Sequence, residues 1–274
     1  MIPAGFDYVR AGSAEEALAA LVEHGDDAKL LAGGMSLLPL MKLRLAVPTV
    51  LVDVGRLTDL TYVRDGGDHL AIGALTRHRD LETSELLARE CGVLRAVAAE
   101  VGDNQVRHRG TLGGSVAHGD PASDLPAVLL ALDATFVARG PSGERQLGAA
   151  DFFTGFLETA LAPDELLTEI RVPKAGADGF AYEKFNRRAQ DWAIVGALAA
   201  TFDGTTRVAL VSMGATPLRA RGVEEALAAG ASASDAAGRA AEGTEPSADV
   251  NATAEYREHL ARVLTRRALE SAVA

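Results

Sequence analysis

Two stretches of the chain combine glycine with a hydroxyl-bearing residue. They are Gly33-Gly34-Met35-Ser36, inside LLAGGMSLLPLMKLR, and Thr111-Leu112-Gly113-Gly114-Ser115. Glycine lets the backbone turn sharply and leaves no Cβ between it and a ligand. A hydroxyl ahead of a helical run caps its first amides, and unspent amides at such a point attract anions. Each stretch therefore offers a nest for phosphate oxygens, and two converging nests would hold a pyrophosphate from both sides. The plainer alternative is a pair of ordinary strand-to-helix turns. Neither stretch matches G-x-G-x-x-G or G-x-x-x-x-G-K-[ST], so neither reads as a Rossmann fingerprint or a P-loop.

Further side chains stand in positions where chemistry is conceivable beside a purely structural role. Asp120 and Asp124 flank Pro121-Ala122-Ser123. Asp124, just before Leu125-Pro126, reads as the N-cap of a helix through Leu132, or as an acceptor for ribityl or ribose hydroxyls. Lys184, Arg187 and Arg188 lie in EKFNRRAQDWA. On a strand, Lys184 and Arg188 share a face and Arg187 points the other way, as at a charged sheet edge that discourages pairing. Trp192, the single tryptophan, reads as core or as a cofactor shelf.

These residues need elements to position them. Ser13-Ala14-Glu15-Glu16 fits a capping box, and Ala17, Leu18, Leu21 and Val22 mark the apolar face of the helix that Gly25 closes. Lys29 to Ala32 reads as a buried strand, Leu37 to Leu43 as a short helix, and Thr49 to Val54 as a second strand. Together they make a βαβ-like opening. LTYVRDGGDHLAIGALT reads as a hairpin about Gly66-Gly67, Glu85 to Val101 as helix, and TFVARGPSGERQL as a hairpin turning at Pro141-Ser142-Gly143. ELLTEIRVP ends in an X-Pro break, and KAGADG reads as a linker. Three strand candidates follow in FAYEKFNRR, WAIVGALAATF and TRVALVSMGA. A soft Ala/Gly/Ser region runs from Ala228 to Asp249, and an amphipathic helix spans Thr253 to Ala272. Two subdomains of mixed α and β are expected to meet near residue 175.

Composition narrows the function further. The 274 residues carry 38 acidic and 27 basic side chains, a formal net charge of −11, and such a surface repels phosphate backbones, so nucleic acid is not an expected partner. The six histidines show no metal-ligand spacing, and no H-E-x-x-H or C-x-x-C occurs, so no metal site is expected. The single cysteine, Cys91, leaves no internal disulfide or thiolate-ligated cluster, and within LLARECGVL it reads as a buried inert thiol on a helix. No apolar run approaches the roughly 20 residues needed to span a bilayer, and the N-terminus lacks a secretory pattern, so a cytoplasmic location is expected.

Taken in order, LLAGGMSLLPLMKLR with LVDV, GTLGGSVAHGDPASDLPAVLLALDA and YEKFNRRAQDWAIV resemble the FAD-binding medium subunit of molybdenum hydroxylases, the group of carbon monoxide dehydrogenase and the relatives of xanthine dehydrogenase. The resemblance covers nearly the whole chain and weakens after about residue 220. It implies an α+β chain: a two-part FAD-binding domain of the vanillyl-alcohol-oxidase (PCMH) type over 1–172, then a smaller α+β domain over 177–274. It also implies that Ala32, Gly33, Gly34, Met35 and Ser36, with Thr111, Leu112, Gly113, Gly114 and Ser115, clasp the FAD pyrophosphate. In this reading Asp124 binds a cofactor hydroxyl, Lys184 lies close by as a cation, and Trp192 aligns with an aromatic that can shield the flavin. Val101 stands where other members place a larger apolar or aromatic contact. His118, the one histidine within the motifs, is expected on the diphosphate side, so FAD is expected to be noncovalent.

The implied function is electron transfer. A partner iron–sulfur small subunit would deliver electrons from a molybdopterin-binding large subunit, and the FAD here would pass them to an external acceptor. No acid/base pair or nucleophile with a positioned base stands out, as expected where the cofactor supplies the chemistry. Two rivals remain open: a stand-alone FAD oxidoreductase of the same fold, and a nucleotide-binding scaffold with no redox role.

Overall fold

In the computed structural model, residues 2–174 and 179–272 are described. The Ala175–Asp178 part of the expected linker, and with it the expected start of the second domain, lies outside them.

The chain opens as β1 (Asp7–Arg10), α1 (Ala14–His24), β2 (Ala28–Leu31), α2 (Leu37–Lys42) and β3 (Val50–Asp53). Ser13 caps α1 by accepting from the Glu16 amide, and Gly25 closes it at φ +52°. Ala17, Leu18 and Leu21 are buried under the sheet, but Val22 is 58% exposed. Its position one residue past Leu21 rotates it off the packed stripe. The strands form a parallel sheet ordered β1-β3-β2. The βαβ opening is therefore present, with a third parallel strand beside it.

The middle of the chain forms a second sheet, built from β4 (Val63–Asp65) and β5 (His69–Gly73), then, beyond a helical region, β6 (Thr135–Gly140), β7 (Gly143–Gly148) and, after the short hairpin β8 (Phe153–Gly155) and β9 (Glu158–Thr159), β10 (Leu166–Pro173). It is antiparallel and ordered β4-β5-β10-β6-β7. Both expected hairpins form. The helix expected over Glu85 to Val101 is two helices, Glu85–Glu90 and Gly92–Ala99. Cys91 leaves the helical region there, at φ −157° and ψ 62°, and separates the two. Burial raises its thiol pKa to about 11, so it is an inert packing group.

The last sheet is antiparallel and ordered β11 (Gly179–Phe185), β12 (Val195–Phe202), β13 (Thr205–Val211), β14 (Leu218–Arg219). Both faces of β12 are covered, which explains its nearly unbroken apolar sequence. Leu198, Ala200 and Phe202 pack with the helices of the middle unit. Val195, Ala197 and Ala199 pack with Leu260, Ala261, Leu264, Ala268 and Leu269 of the final helix, Ala254–Ala272. The strand holding Lys184 ends at Phe185. Arg187 and Arg188 lie beyond it, both paired with Asp191 in the following turn, so the expected shared face of Lys184 and Arg188 does not form. The fold is α+β, and the cavity described next is lined from its three larger sheets and from the two-stranded β8–β9 sheet.

Candidate cofactor site

A cavity of about 830 Å³ is lined by the β2–α2 turn, by the helix that begins after Thr111, by the loop around Leu157 to Leu161, and by Asp124, Lys184 and Trp192. That volume lies toward the upper end of small-molecule sites, roughly 300–1,000 Å³. The first glycine segment crosses its wall. Gly34 adopts φ +76°, a conformation other residues adopt only with strain. A Cβ on Gly34 would point at Leu38 and Leu31, and one on Gly33 would overlap the Arg109 carbonyl oxygen at 2.1 Å. The glycines therefore serve the turn and a backbone-to-backbone contact, and neither clears a path for a ligand. What faces the cavity is the turn's product: among the described residues, the amides of Gly33, Gly34, Met35 and Ser36 have no acceptor. Ser36 makes no capping bond, contrary to the capping role its position suggests.

The second segment is the first turn of a helix, Leu112–His118, capped by Thr111. Its amides are spent internally. Leu112 donates to Thr76 O at 2.9 Å, Gly113 to Ala74 O at 2.8 Å, and Ser115 to Thr111 O at 3.0 Å. Gly114 donates to Thr111 Oγ1 at 3.1 Å. Leu112 is fully buried and does not line the cavity. This segment supplies the bare Gly114 backbone and the Ser115 hydroxyl as wall, and no open nest. His118 also lines the cavity, and burial holds its pKa below the usual imidazole value.

Asp124 is the first residue of the helix Asp124–Ala131, and Ser123 occupies the cap position with no side-chain bond. The carboxylate faces β11 instead. Its Oδ2 accepts from Lys184 Nζ at 2.8 Å and its Oδ1 from the Tyr182 hydroxyl at 2.5 Å. Both charged side chains are only 6% exposed. Burial pushes the Asp124 carboxyl upward while the Lys184 ammonium and the Tyr182 phenol oppose that shift. Burial and the neighbouring carboxylate hold the phenol protonated, well above its ordinary pKa. Lys184 is thus half of a buried ion pair that lines the cavity. Trp192 is 55% exposed at the cavity's edge, so it is not core.

The comparisons with known proteins fall on the same residues. The family described as the FAD binding domain in molybdopterin dehydrogenase matches residues 4–175, and the CO dehydrogenase flavoprotein C-terminal domain matches 180–272. This chain belongs to that flavoprotein family. The flavoprotein is 41% identical to the carbon monoxide dehydrogenase medium chain of Hydrogenophaga pseudoflava, over 99% of this chain and 98% of the relative. It is 38% identical to 6-hydroxypseudooxynicotine dehydrogenase complex subunit alpha of Paenarthrobacter nicotinovorans, over 100% and 96%. Among solved structures, a chain of the H. pseudoflava carbon monoxide dehydrogenase lacking the Mo-pyranopterin moiety superposes with a TM-score of 0.95 at 42% identity, covering 100% of this chain and 99% of that one. The flavoprotein is an oxidoreductase subunit, and FAD is its cofactor.

The cavity of this flavoprotein fits such a cofactor on its own chemistry. Four amides without acceptors suit phosphate oxygens, and Val101, Leu161 and Trp192 add apolar wall to the same cavity. Sequence reasoning missed the part of the wall formed by Leu21, Asp26 and Lys29, because nothing in a helix end announces a cavity. It missed Tyr182, although the period-2 pattern of a strand places Tyr182 on the same face as Lys184. It also missed His78, buried at 4% exposure beneath Gly110.

Proposed function

We propose that this chain is the FAD-carrying electron-transfer subunit of a molybdenum-containing hydroxylase or dehydrogenase, with FAD bound noncovalently. Its partners are an iron–sulfur small subunit and a molybdopterin-binding large subunit, and its location is the cytoplasm. The fold is of the vanillyl-alcohol-oxidase (PCMH) type, divided as 1–172 and 177–274. When bound, FAD accepts electrons and passes them to an external acceptor. The chain's own residues hold and orient it. The amides of Gly33 to Ser36 take the pyrophosphate, and Gly114 and Ser115 wall its other side. Asp124 and Lys184 meet the ribityl and ring end, and Trp192 covers the ring edge. The reading is carried by one observation: four consecutive amides without acceptors among the described residues, in the wall of a cavity of about 830 Å³.

The relatives' names support a role in transfer. Chains 41%, 36% and 37% identical are named for carbon monoxide, glyceraldehyde and caffeine. Resemblance to this chain hardly tracks the substrate, as expected if another subunit selects it. The test is anaerobic mixing of the FAD-loaded chain, alone and within its complex, with carbon monoxide, aldehydes and N-heterocycles while following flavin absorbance. Bleaching only in the complex is expected. Bleaching of the isolated chain would make it a stand-alone oxidoreductase.

A further inference from the structure

We infer that Tyr182, which does not itself line the cavity, is a positioning residue for the cofactor. It anchors the buried Asp124 carboxylate so that Lys184 turns one N–H toward the bound ring. The inference rests on the proposed placement of the flavin ring at this end of the cavity.

The geometry accounts for every strong donor and acceptor in the group. Asp124 accepts from Tyr182 on one oxygen and from Lys184 on the other. An ammonium carries three donors. Lys184 spends one on Asp124 and one on the Glu100 carbonyl oxygen at 3.0 Å, which leaves a third on a residue that lines the cavity. Neighbouring strands keep room for the phenol. Gly196 pairs with Lys184 across β11 and β12, and a Cβ there would come within 2.7 Å of the Tyr182 oxygen. Its φ lies outside the left-handed region, so the glycine serves space: chiefly for that hydroxyl, and for Val211, whose Cβ is 3.1 Å from the same point.

Because Asp124 and Lys184 carry opposite charges, the field in the cavity depends on how this pair is held. Removing the phenol leaves the carboxylate's negative charge less compensated and frees it to shift, which draws the Lys184 ammonium away from the ring. Both effects make the end of the cavity less favourable to an electron-rich ring. Loss of one hydrogen bond to a charged group changes an equilibrium by about tenfold.

The test uses the full chain loaded with FAD, with spectroelectrochemistry and flavin affinity measured on Tyr182→Phe, Gly196→Ala and Lys184→Met. Tyr182→Phe should leave affinity for oxidised FAD within about threefold. It should weaken reduced-form binding relative to oxidised by about tenfold, a potential lower by about 30 mV for a two-electron couple. Gly196→Ala, which crowds the phenol, should move the potential the same way and decides the matter if Tyr182→Phe does not fold. If Lys184→Met shifts the potential while Tyr182→Phe and Gly196→Ala only lower the melting temperature, Tyr182 is structural and the inference fails. If Lys184→Met changes neither affinity nor potential, the ring is not at this end, and it is the proposed cofactor placement that falls.

Discussion

Around the cavity, the segment Gly33–Ser36 leaves four amides without acceptors, whereas the segment Thr111–Ser115 spends the amides of Leu112 through Ser115 inside the protein. The first ends a parallel strand and turns through Gly34 at φ +76° before its helix begins. The second enters its helix directly, with Thr111 as cap. Local geometry explains the contrast. A left-handed glycine aims successive N–H groups to one side, as in an anion nest. A capped entry instead satisfies them at once. The two segments also lean on each other, because Gly33 lies against the backbone of Arg109 and Gly110. One binds and the other braces.

The largest expected effect comes from breaking that contact. A Cβ at Gly33 would stand 2.1 Å from the Arg109 carbonyl oxygen and 2.9 Å from the Gly110 Cα. Neither neighbour is a side chain that can swing away. Gly33→Val should cost more than about 4 kcal/mol, at the upper end for single substitutions, and circular dichroism should show loss of fold together with loss of FAD. Gly34→Ala isolates the binding half. Its Cβ meets the mobile end of Leu38, so the chain should stay folded, at a cost of about 1–2 kcal/mol for the left-handed backbone. Its FAD affinity should fall far more than its melting temperature suggests. Full FAD occupancy in Gly34→Ala would remove the nest from the binding account.

How much of this contrast was legible beforehand depends on which interaction sets each residue. Most strands and both expected hairpins were readable because apolar runs, alternation and the Gly66-Gly67 or Pro141-Ser142-Gly143 turns are local signals. Strands β1, β8, β9 and β14, each four residues or fewer, were not. The break at Cys91 was not, since Gly92 packs against Phe180 from the other end of the chain, its Cβ position 3.4 Å from that ring. The two glycine segments stood out as sites, yet their glycines' reasons lie in long-range contacts: Gly33 with Arg109, and Gly113 with Ala74. Asp124 and Lys184 were singled out separately. Their pairing across 60 residues follows from the docking of β11 onto the middle unit and is written in neither neighbourhood.

An intermediate effect should follow acidification, and it falls on the bracing segment. The His78 ring packs beneath Gly110, and its amide donates to the Gly110 carbonyl at 3.0 Å. Burial, reinforced by Arg107, lowers its pKa to about 4, and its Nδ1 has no partner among the described residues. The unfolded chain takes up this proton near pH 6.5, before the folded one does. The stability held by neutral His78 is therefore complete above pH 6.5 and is lost as pH falls from there toward 4. By pH 5 the loss should be about 2 kcal/mol. Melting curves at pH 7.5 and pH 5 should show it, and His78→Phe should flatten that part of the slope whatever its own stability. An unchanged slope would place the acid sensitivity elsewhere.

The smallest effects sharpen the comparison most, because the two hydroxyls should respond in opposite ways. Thr111 is buried and its Oγ1 accepts from the Gly114 amide. Thr111→Val keeps the shape and removes that cap, so it should cost about 1 kcal/mol in stability. FAD affinity should change little, since the lost bond lies inside the wall. Ser36 makes no capping bond and lines the cavity. Ser36→Ala should leave stability within about 0.5 kcal/mol. It removes a hydroxyl beside the unspent amides, and a hydrogen bond to an anionic group contributes roughly 1.5–3 kcal/mol. FAD affinity should therefore fall by about tenfold or more. Chemical denaturation and flavin titration on the two variants read both quantities. Two variants that lost affinity equally, with no difference in stability, would mean that the segments share one role, and the division between binding and bracing would not hold.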